Sequence, residues 1–226
     1  MKKYILYLIL FLIPVLNMAH IEINNPVNDV KSNIYTDTHL SEFGLSNEVF
    51  QLALTGYNKL VAEGQLAKSG ILTIVDFSQS SKNKRMYVID IPGHKLLFNT
   101  LVAHGRNTGE EYAVNFSNEM GTLKSSLGFY ITRGHVMGSK VGLSMIMQGM
   151  EKGFNDNAIS RQIIMHGADY ATEDFIKKTG RLGRSYGCPS LPPEYIKPVI
   201  ESIEKGTCLF IFQADSNYLR HSTFLN

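Results

Sequence analysis

Six short apolar runs separated by turn residues constrain this chain more than any other feature. They are Ile71–Phe77, Met86–Ile91, Leu96–His104, Leu127–Thr132, Gln162–His166 and Thr207–Phe212. Each has the length of a strand, and the first five read as strand-like while Thr207–Phe212 suits a buried strand. Pro92-Gly93 lies between the second and third runs, so these two make a hairpin. Helical spacing is confined to three places. Ser46 is placed to cap a helix running to about Leu66, because Val49, Ala53, Tyr57, Leu60 and Val61 recur at helical intervals. Thr172 to Thr179 reads as a short helix with Gly180 beyond its end, and Pro193 to Glu204 as another closed by Gly206. Strands outnumber helices from Ile71 onward and no internal repeat is present. The expected fold is mostly β with helices laid over it, an α+β domain.

Composition removes several function classes. The chain has 226 residues, 44% of them hydrophobic and 19% charged, which fits one large domain and excludes global disorder. Lys and Arg number 22 against 20 Asp and Glu, and a net charge of +2 is no footprint for nucleic acid. Two cysteines cannot build a disulfide scaffold or a four-cysteine zinc site.

The first residues set the address. Met1-Lys2-Lys3 is a basic start, Tyr4 to Leu16 is apolar apart from Pro14, and Ala19 follows as a small residue. This is the pattern of a secretory signal peptide over residues 1–19. As a helix the apolar run spans about 20 Å, short of the roughly 30 Å hydrocarbon core, so a stable membrane span after signal removal is not expected. An uncleaved signal anchor is the alternative. Without residues 1–19 the chain loses only Lys2 and Lys3 among its charges, leaving 20 basic against 20 acidic residues. Residues 20–45 then read as a linker or an ordered wrap, and 46–226 as the main domain.

The chemistry-bearing residues concentrate between Met165-His166-Gly167 and Arg184-Ser185-Tyr186-Gly187-Cys188-Pro189. A cysteine nucleophile works as its thiolate, and a thiol of pKa about 8.5 is only a few per cent ionised at neutral pH. A nearby imidazole can take the proton. His166 closes an apolar strand, where its ring can project beside a cleft, and Gly187 lets backbone N–H groups approach a developing oxyanion. The residues alone leave other readings open: a buried structural cysteine, a disulfide between Cys188 and Cys208, or a histidine satisfied at a strand end.

The same residues carry a resemblance. His166-Gly167 followed by Ser185-Tyr186-Gly187-Cys188 resembles the signature of the YkuD-like L,D-transpeptidases, which act on peptidoglycan. The chain is more similar still to the murein L,D-transpeptidase catalytic domain family. That resemblance also rests on Val75 to Ser78, Leu101 to Gly105, Ser126 to Tyr130, Gly153 to Asn157, His166 to Tyr170 and Gly180 to Pro189, and covers about residues 46–213. It implies a β-sandwich or barrel catalytic domain with Cys188 as nucleophile and His166 as base. It also implies an imidazole oriented by a backbone carbonyl and an oxyanion hole of N–H groups around Tyr186, Gly187 and Cys188. The implied activity is cysteine acyl transfer on stem peptides to form 3-3 cross-links, in the periplasm or cell envelope, with no cofactor. L,D-carboxypeptidase action on the same bond, or a non-catalytic peptidoglycan-binding domain, are the alternatives.

One departure bears on the substrate. Better-known members carry an arginine two residues after the cysteine, where this chain has Ser190. Either Arg184 or Arg133 replaces it or the donor stem is held differently, and Ser190 itself and His104 are further candidates for substrate contact. Asp169, three residues after His166, is expected to serve loop structure. His104, His135 and His166 show no i, i+4 pair and no H-E-x-x-H, so no metal site is expected. Gly134 to Lys140 reads as a polar surface loop, and Met145-Ile146-Met147 as core or cleft wall.

Overall fold

A computed structural model of the chain describes residues 34–226. The expected signal peptide over 1–19, and residues 20–33 of the segment after it, lie outside the described residues. Residues 34–37 form a helical turn, and the segment they begin wraps onto the core through buried Ile34, Leu40 and Leu45.

Helix α1 (Asn47–Ala62) starts where the Ser46 Oγ accepts the Val49 N–H at 3.2 Å. It ends at Ala62, four residues short of the expected Leu66, with Gly64 in the left-handed region at φ +65° just beyond. Its buried face carries Phe50, Ala53, Tyr57 and Leu60. Gly56 is needed on that face, because a Cβ there would stand 2.1 Å from the Phe129 ring. Phe129 in turn stacks on Phe210 with 4.2 Å between ring centroids.

The strands are β1 (Ile71–Asp76), β2 (Met86–Asp90), β3 (Lys95–Thr100), β4 (Gly128–Gly138), β5 (Gly142–Gly149), β6 (Ile164–Gly167), β7 (Ser190–Leu191) and β8 (Cys208–Phe212). They form one sheet in the order β3-β2-β1-β8-β4-β5-β6-β7. Neighbours are antiparallel except β1–β8 and β6–β7, which are parallel. The sheet curls until Ala103, just past β3 at one edge, bridges Ser190 in β7 at the other. Near-closure into a barrel removes exposed strand edges. Helices α2 (Glu173–Thr179), α3 (Pro193–Ile203) and α4 (Ser216–His221) complete the α+β domain. Thr172 caps α2 and Gly180 ends it at φ +82°. Among the described residues, no helix is long and apolar enough to cross a membrane.

Two expectations need correction. Residues 134–138 are not a loop but the outer half of β4, paired with β5 through Val136 with Ser144 and Met137 with Leu143. This arm is exposed from Arg133 to Met137, so it has no buried face to give it a two-residue apolar period. The third strand stops at Thr100, because Leu101 to His104 leave the sheet edge to meet the segment around Ser185 to Ser190.

Two buried polar knots lock the loops to this frame. Asn155, fully buried, donates from Nδ2 to Leu127 O (3.0 Å) and Phe129 O (2.9 Å), and its Oδ1 accepts the Glu151 N–H at 2.8 Å. The Glu151 carboxylate accepts the Phe129 N–H at 2.7 Å, the Tyr218 hydroxyl at 2.9 Å and the Ser222 hydroxyl, tying α4 to β4. In the second knot the buried Arg85 guanidinium donates to Val102 O, to Gln79 O at 2.7 Å and to His104 Nδ1 at 2.8 Å, while lying 4.7 Å from the Phe77 ring centroid. Burial, then the charge of Arg85, holds the His104 imidazole down to about 3.

Both knots make measurable predictions. Asn155→Ala strands the Glu151 N–H and Leu127 O, while Phe129 O keeps the Met150 N–H, and should cost about 2–4 kcal/mol in urea denaturation; a loss below about 0.5 kcal/mol would contradict the role given to it. For His104, the unfolded chain binds a proton near the ordinary 6.5 while the folded chain does not until about 3. Stability from the neutral ring is therefore full above the unfolded value and is lost as pH falls through that window. Between about pH 7 and pH 4 the melting temperature of His104→Gln should fall less steeply than that of the wild type. Parallel curves would show that His104 does not titrate as described.

Candidate active site

The site is assembled by β-pairing. In the β6–β7 ladder His166 lies opposite Ser190 and Gly167 opposite Leu191. Ser190 follows Cys188 by two positions, so this register carries the cysteine to the end of β6. On its other side Ser190 exchanges backbone hydrogen bonds with Ala103, at 2.8 and 3.2 Å. The Ser185 N–H donates to His104 O at 3.0 Å and the Arg106 N–H to Ser185 O at 2.8 Å. The cysteine loop is thus held from both sides.

Inside the loop Ser185 Oγ donates to Cys188 O at 2.6 Å and accepts the Gly187 N–H at 3.0 Å. Gly187 has φ +120°, and a Cβ on it would meet Lys124 O at 2.8 Å. Ser125 Oγ donates to Gly187 O at 3.0 Å. Only glycine fits this conformation and this approach. The expected oxyanion donors are not equivalent: the Gly187 N–H is spent on Ser185 Oγ, while among the described residues the Tyr186 and Cys188 N–H groups make no hydrogen bond.

His166 is 6% exposed. Its Nδ1 lies 2.9 Å from Gly167 O and its Nε2 3.1 Å from Ser190 Oγ. A carbonyl can only accept, so Nδ1 carries the proton and Nε2 the lone pair. Ser190 Oγ also lies 3.0 Å from the Tyr170 hydroxyl, giving a chain from Tyr170 through Ser190 to the imidazole. Burial lowers the His166 pKa below the ordinary imidazole value, against the raising effect of Gly167 O. Cys188 Sγ points its hydrogen bond at Gln162 O, 3.7 Å away, rather than at the imidazole. Burial raises its thiol pKa, while the Ile164 N–H and the charge of Arg161 oppose that rise.

Cys188 and His166 line one open cleft of about 940 Å³. Its walls come from Lys140 and Val141 at the β4–β5 tip, from Arg161, Gln162 and Ile164 before and into β6, from Asp169 and Tyr170, and from Pro193 and Ile196 of α3. Arg184 and Tyr186 also line it, but Arg184 is tied to Glu110 and to Arg106 O and Gly109 O. Ser190 is committed to His166 and Tyr170. Arg133 is absent from the cleft wall: it donates to Gln148 on the neighbouring strand. His104 is likewise absent, being 1% exposed in the Arg85 knot. Cys208 is fully buried in β8 and both cysteines are free thiols. Sequence reasoning missed the roles of Arg161, Gln162 and Ser125 around the cysteine loop; Arg161 and Ser125 lie outside any periodic run, and Gln162, expected to start a strand, stands in a left-handed turn before β6, which begins at Ile164.

The comparisons follow from this geometry. A model of the L,D-transpeptidase catalytic domain family matches residues 41–212. No curated protein matches the chain. Among solved structures, an L,D-transpeptidase from Mycobacterium smegmatis is similar at 10% identity and TM-score 0.40, over 64% of this chain and 59% of that one. A variant of the helical cell shape determining protein Pgp2 from Campylobacter jejuni gives 14% identity and TM-score 0.42, over 72% and 57%. An L,D-transpeptidase from Stackebrandtia nassauensis gives 13% and 0.40, over 85% and 93%. The chain therefore spans less than two thirds of the first two. With more than half of its length matched by the one family model, the chain belongs to the L,D-transpeptidase catalytic domain family.

Proposed function

We propose that this chain is an exported cysteine acyltransferase that acts on peptidoglycan stem peptides and forms 3-3 cross-links. The observation that carries the reading is a thiol and an imidazole lone pair on the wall of one open cleft, with the imidazole tautomer set by Gly167 O. Export rests on the signal pattern of residues 1–19, which supports action in the periplasm or cell envelope.

In this reading His166 Nε2 accepts the proton of Cys188 when a stem peptide closes the cleft; catalytic hydrogen bonds are commonly longer before substrate binds. The sulfur attacks the carbonyl between the L-centre and the D-residue, and the Tyr186 and Cys188 N–H groups receive the negative charge that builds on its oxygen. The C–N bond breaks, the imidazolium returns its proton to the departing amine, and an acyl-thioester remains. An amine of a second stem then attacks the thioester, gives its proton to His166 and releases the thiol. Arg184 cannot offer a free guanidinium without releasing Glu110, so stem carboxylates need other partners; Lys140 at the hairpin tip supplies a positive charge on the cleft wall.

Hydrolysis is the competing outcome, since water attacking the same thioester gives an L,D-carboxypeptidase. The aromatic rings of Tyr170 and Tyr186 on the wall favour transfer by limiting water at the thioester.

Cys188→Ala and His166→Ala should each lower turnover on disaccharide-tetrapeptide by about 10³-fold or more, with melting curves close to wild type. Wild-type turnover in Cys188→Ala would remove the nucleophile. A carbapenem should acylate the wild-type protein at Cys188, seen as a mass increase; an unchanged mass would leave a non-catalytic binding domain. Product analysis decides between the two reactions. A dimer bridged between two diaminopimelate residues is expected, and tripeptide with free D-Ala alone would establish the carboxypeptidase instead.

A further inference from the structure

We infer that Arg161 is a positioning residue for the nucleophile, its guanidinium being the fixed charge against which the Cys188 thiolate forms. The inference rests on the reading of Cys188 as the attacking group. Its starting point is the short segment from Arg161 to Ile164, which wraps the sulfur. Gln162 O lies 3.7 Å from Cys188 Sγ, and the Ile164 N–H in the same segment counters the rise that burial imposes on the thiol. Gln162 sits in the left-handed region at φ +57°, a conformation disfavoured for a non-glycine residue. That turn is braced by Gln162 N–H to Ile159 O at 3.0 Å and Ile163 N–H to Ala158 O at 2.9 Å. The chain thus holds a strained residue at the point where its carbonyl meets the nucleophile.

Arg161 opens this segment and lines the cleft with Cys188. Its Nη1 donates to Ser117 O at 2.7 Å and to Ser126 Oγ, and its Nη2 to Lys124 O at 2.7 Å and Thr122 Oγ1 at 3.4 Å. All four acceptors are neutral, and among the described residues no carboxylate pairs with it. A half-buried cation in this state lacks a counter-ion, and its electrostatic neighbours are Tyr130 and Cys188. Tyr130 is fully buried with its phenol pushed well above the ordinary range, so it stays neutral. The thiol is left as the group that can supply the negative charge.

The other charges around the sulfur do not fill this role. Arg184 on the cysteine loop is matched by Glu110. His166 on β6 is kept neutral by burial. Asp169, Tyr170 and Tyr186 line the cleft, and Lys140 is at the hairpin tip. The Arg161 fork also fixes Lys124 O, the atom against which Gly187 packs, and so braces the loop carrying the oxyanion donors.

The test is the pH profile of iodoacetamide alkylation at Cys188, read by peptide mass on the full chain. Arg161→Met should raise the midpoint by about one pH unit and slow alkylation about tenfold at neutral pH. Arg161→Gln is a second neutral variant for which the same shift is expected. Arg161→Lys keeps the charge while losing the fork, and its midpoint should stay within about 0.3 units of wild type. A purely structural role would move Lys and Met variants alike. The inference is overturned if the Met and Gln profiles superpose on wild type, or if the Lys profile shifts as far as theirs. A wild-type thiol that is alkylated with the expected profile but forms no carbapenem adduct would sink the functional reading alone.

Discussion

Two residues of parallel ladder, His166 against Ser190 and Gly167 against Leu191, hold the imidazole and the cysteine loop at one end of the sheet. So short a strand contributes little by itself, since each backbone hydrogen bond is worth only about 1 kcal/mol net. It persists because Ser190 is paired on both sides, with β6 and with Ala103. The same residue thereby closes the curled sheet and sets the cleft. A one-residue slip would turn Ser190 away from the imidazole and move Cys188 off the end of β6. Closure and chemistry depend on one register.

That register is defended by polar groups inside the fold rather than by apolar packing alone. Arg85, Asn155 and Arg161 each use a side chain to satisfy backbone carbonyls of segments that lack strand partners. An unsatisfied buried carbonyl costs about 1–3 kcal/mol, so these side chains let irregular backbone run close to the core. The segments they hold are Leu101 to His104, Leu127 just before β4, and Ser117 to Lys124. The first grips the cysteine loop, the second leads into β4 and the third backs Gly187. Loops that must be precise are thus fixed by donors from other irregular segments, Arg85 just before β2 and Asn155 and Arg161 in turns.

The legible parts of the sequence were those with a local cause. Ser46, Thr172 and Gly180 mark helix ends through caps that act within one turn, and β1, β2 and β8 are short apolar runs whose residues are nearly all buried. The fold class, and the dipeptide and loop around His166 and Cys188, were readable on the same grounds or by resemblance. What was hidden is non-local. The outer arm of β4 exists through pairing with β5 while facing solvent, so no periodicity betrays it. His104 ends an apolar run, as His166 does, yet one is enclosed by Arg85 and the other reaches a cleft. Nothing in either local sequence separates them. The commitment of Ser190 to Nε2, and of the Gly187 N–H to Ser185, depends on partners brought together only by folding or by a turn's exact torsions.

The energetics of the pair explain why so many groups converge on it. Burial raises the thiol pKa of Cys188 and lowers that of His166, so both shifts favour thiol and neutral imidazole over the ion pair. One pKa unit corresponds to about 1.4 kcal/mol, and the two opposing shifts add in the cost of moving the proton from sulfur to nitrogen. The proposed acyl transfer therefore requires interactions that favour the charged pair more than the neutral one. Gly167 O stabilises the imidazolium through Nδ1–H, and the Ile164 N–H and Arg161 stabilise the thiolate. Ser190 does the reverse when its hydroxyl donates to Nε2, because that bond is lost on protonation. Its hydroxyl must turn so that its oxygen accepts from the protonated ring, and Tyr170, 3.0 Å away, can then receive the Ser190 proton in a hydrogen bond. The Tyr170–Ser190 chain therefore allows the imidazole to change charge without leaving any of the three groups unpaired.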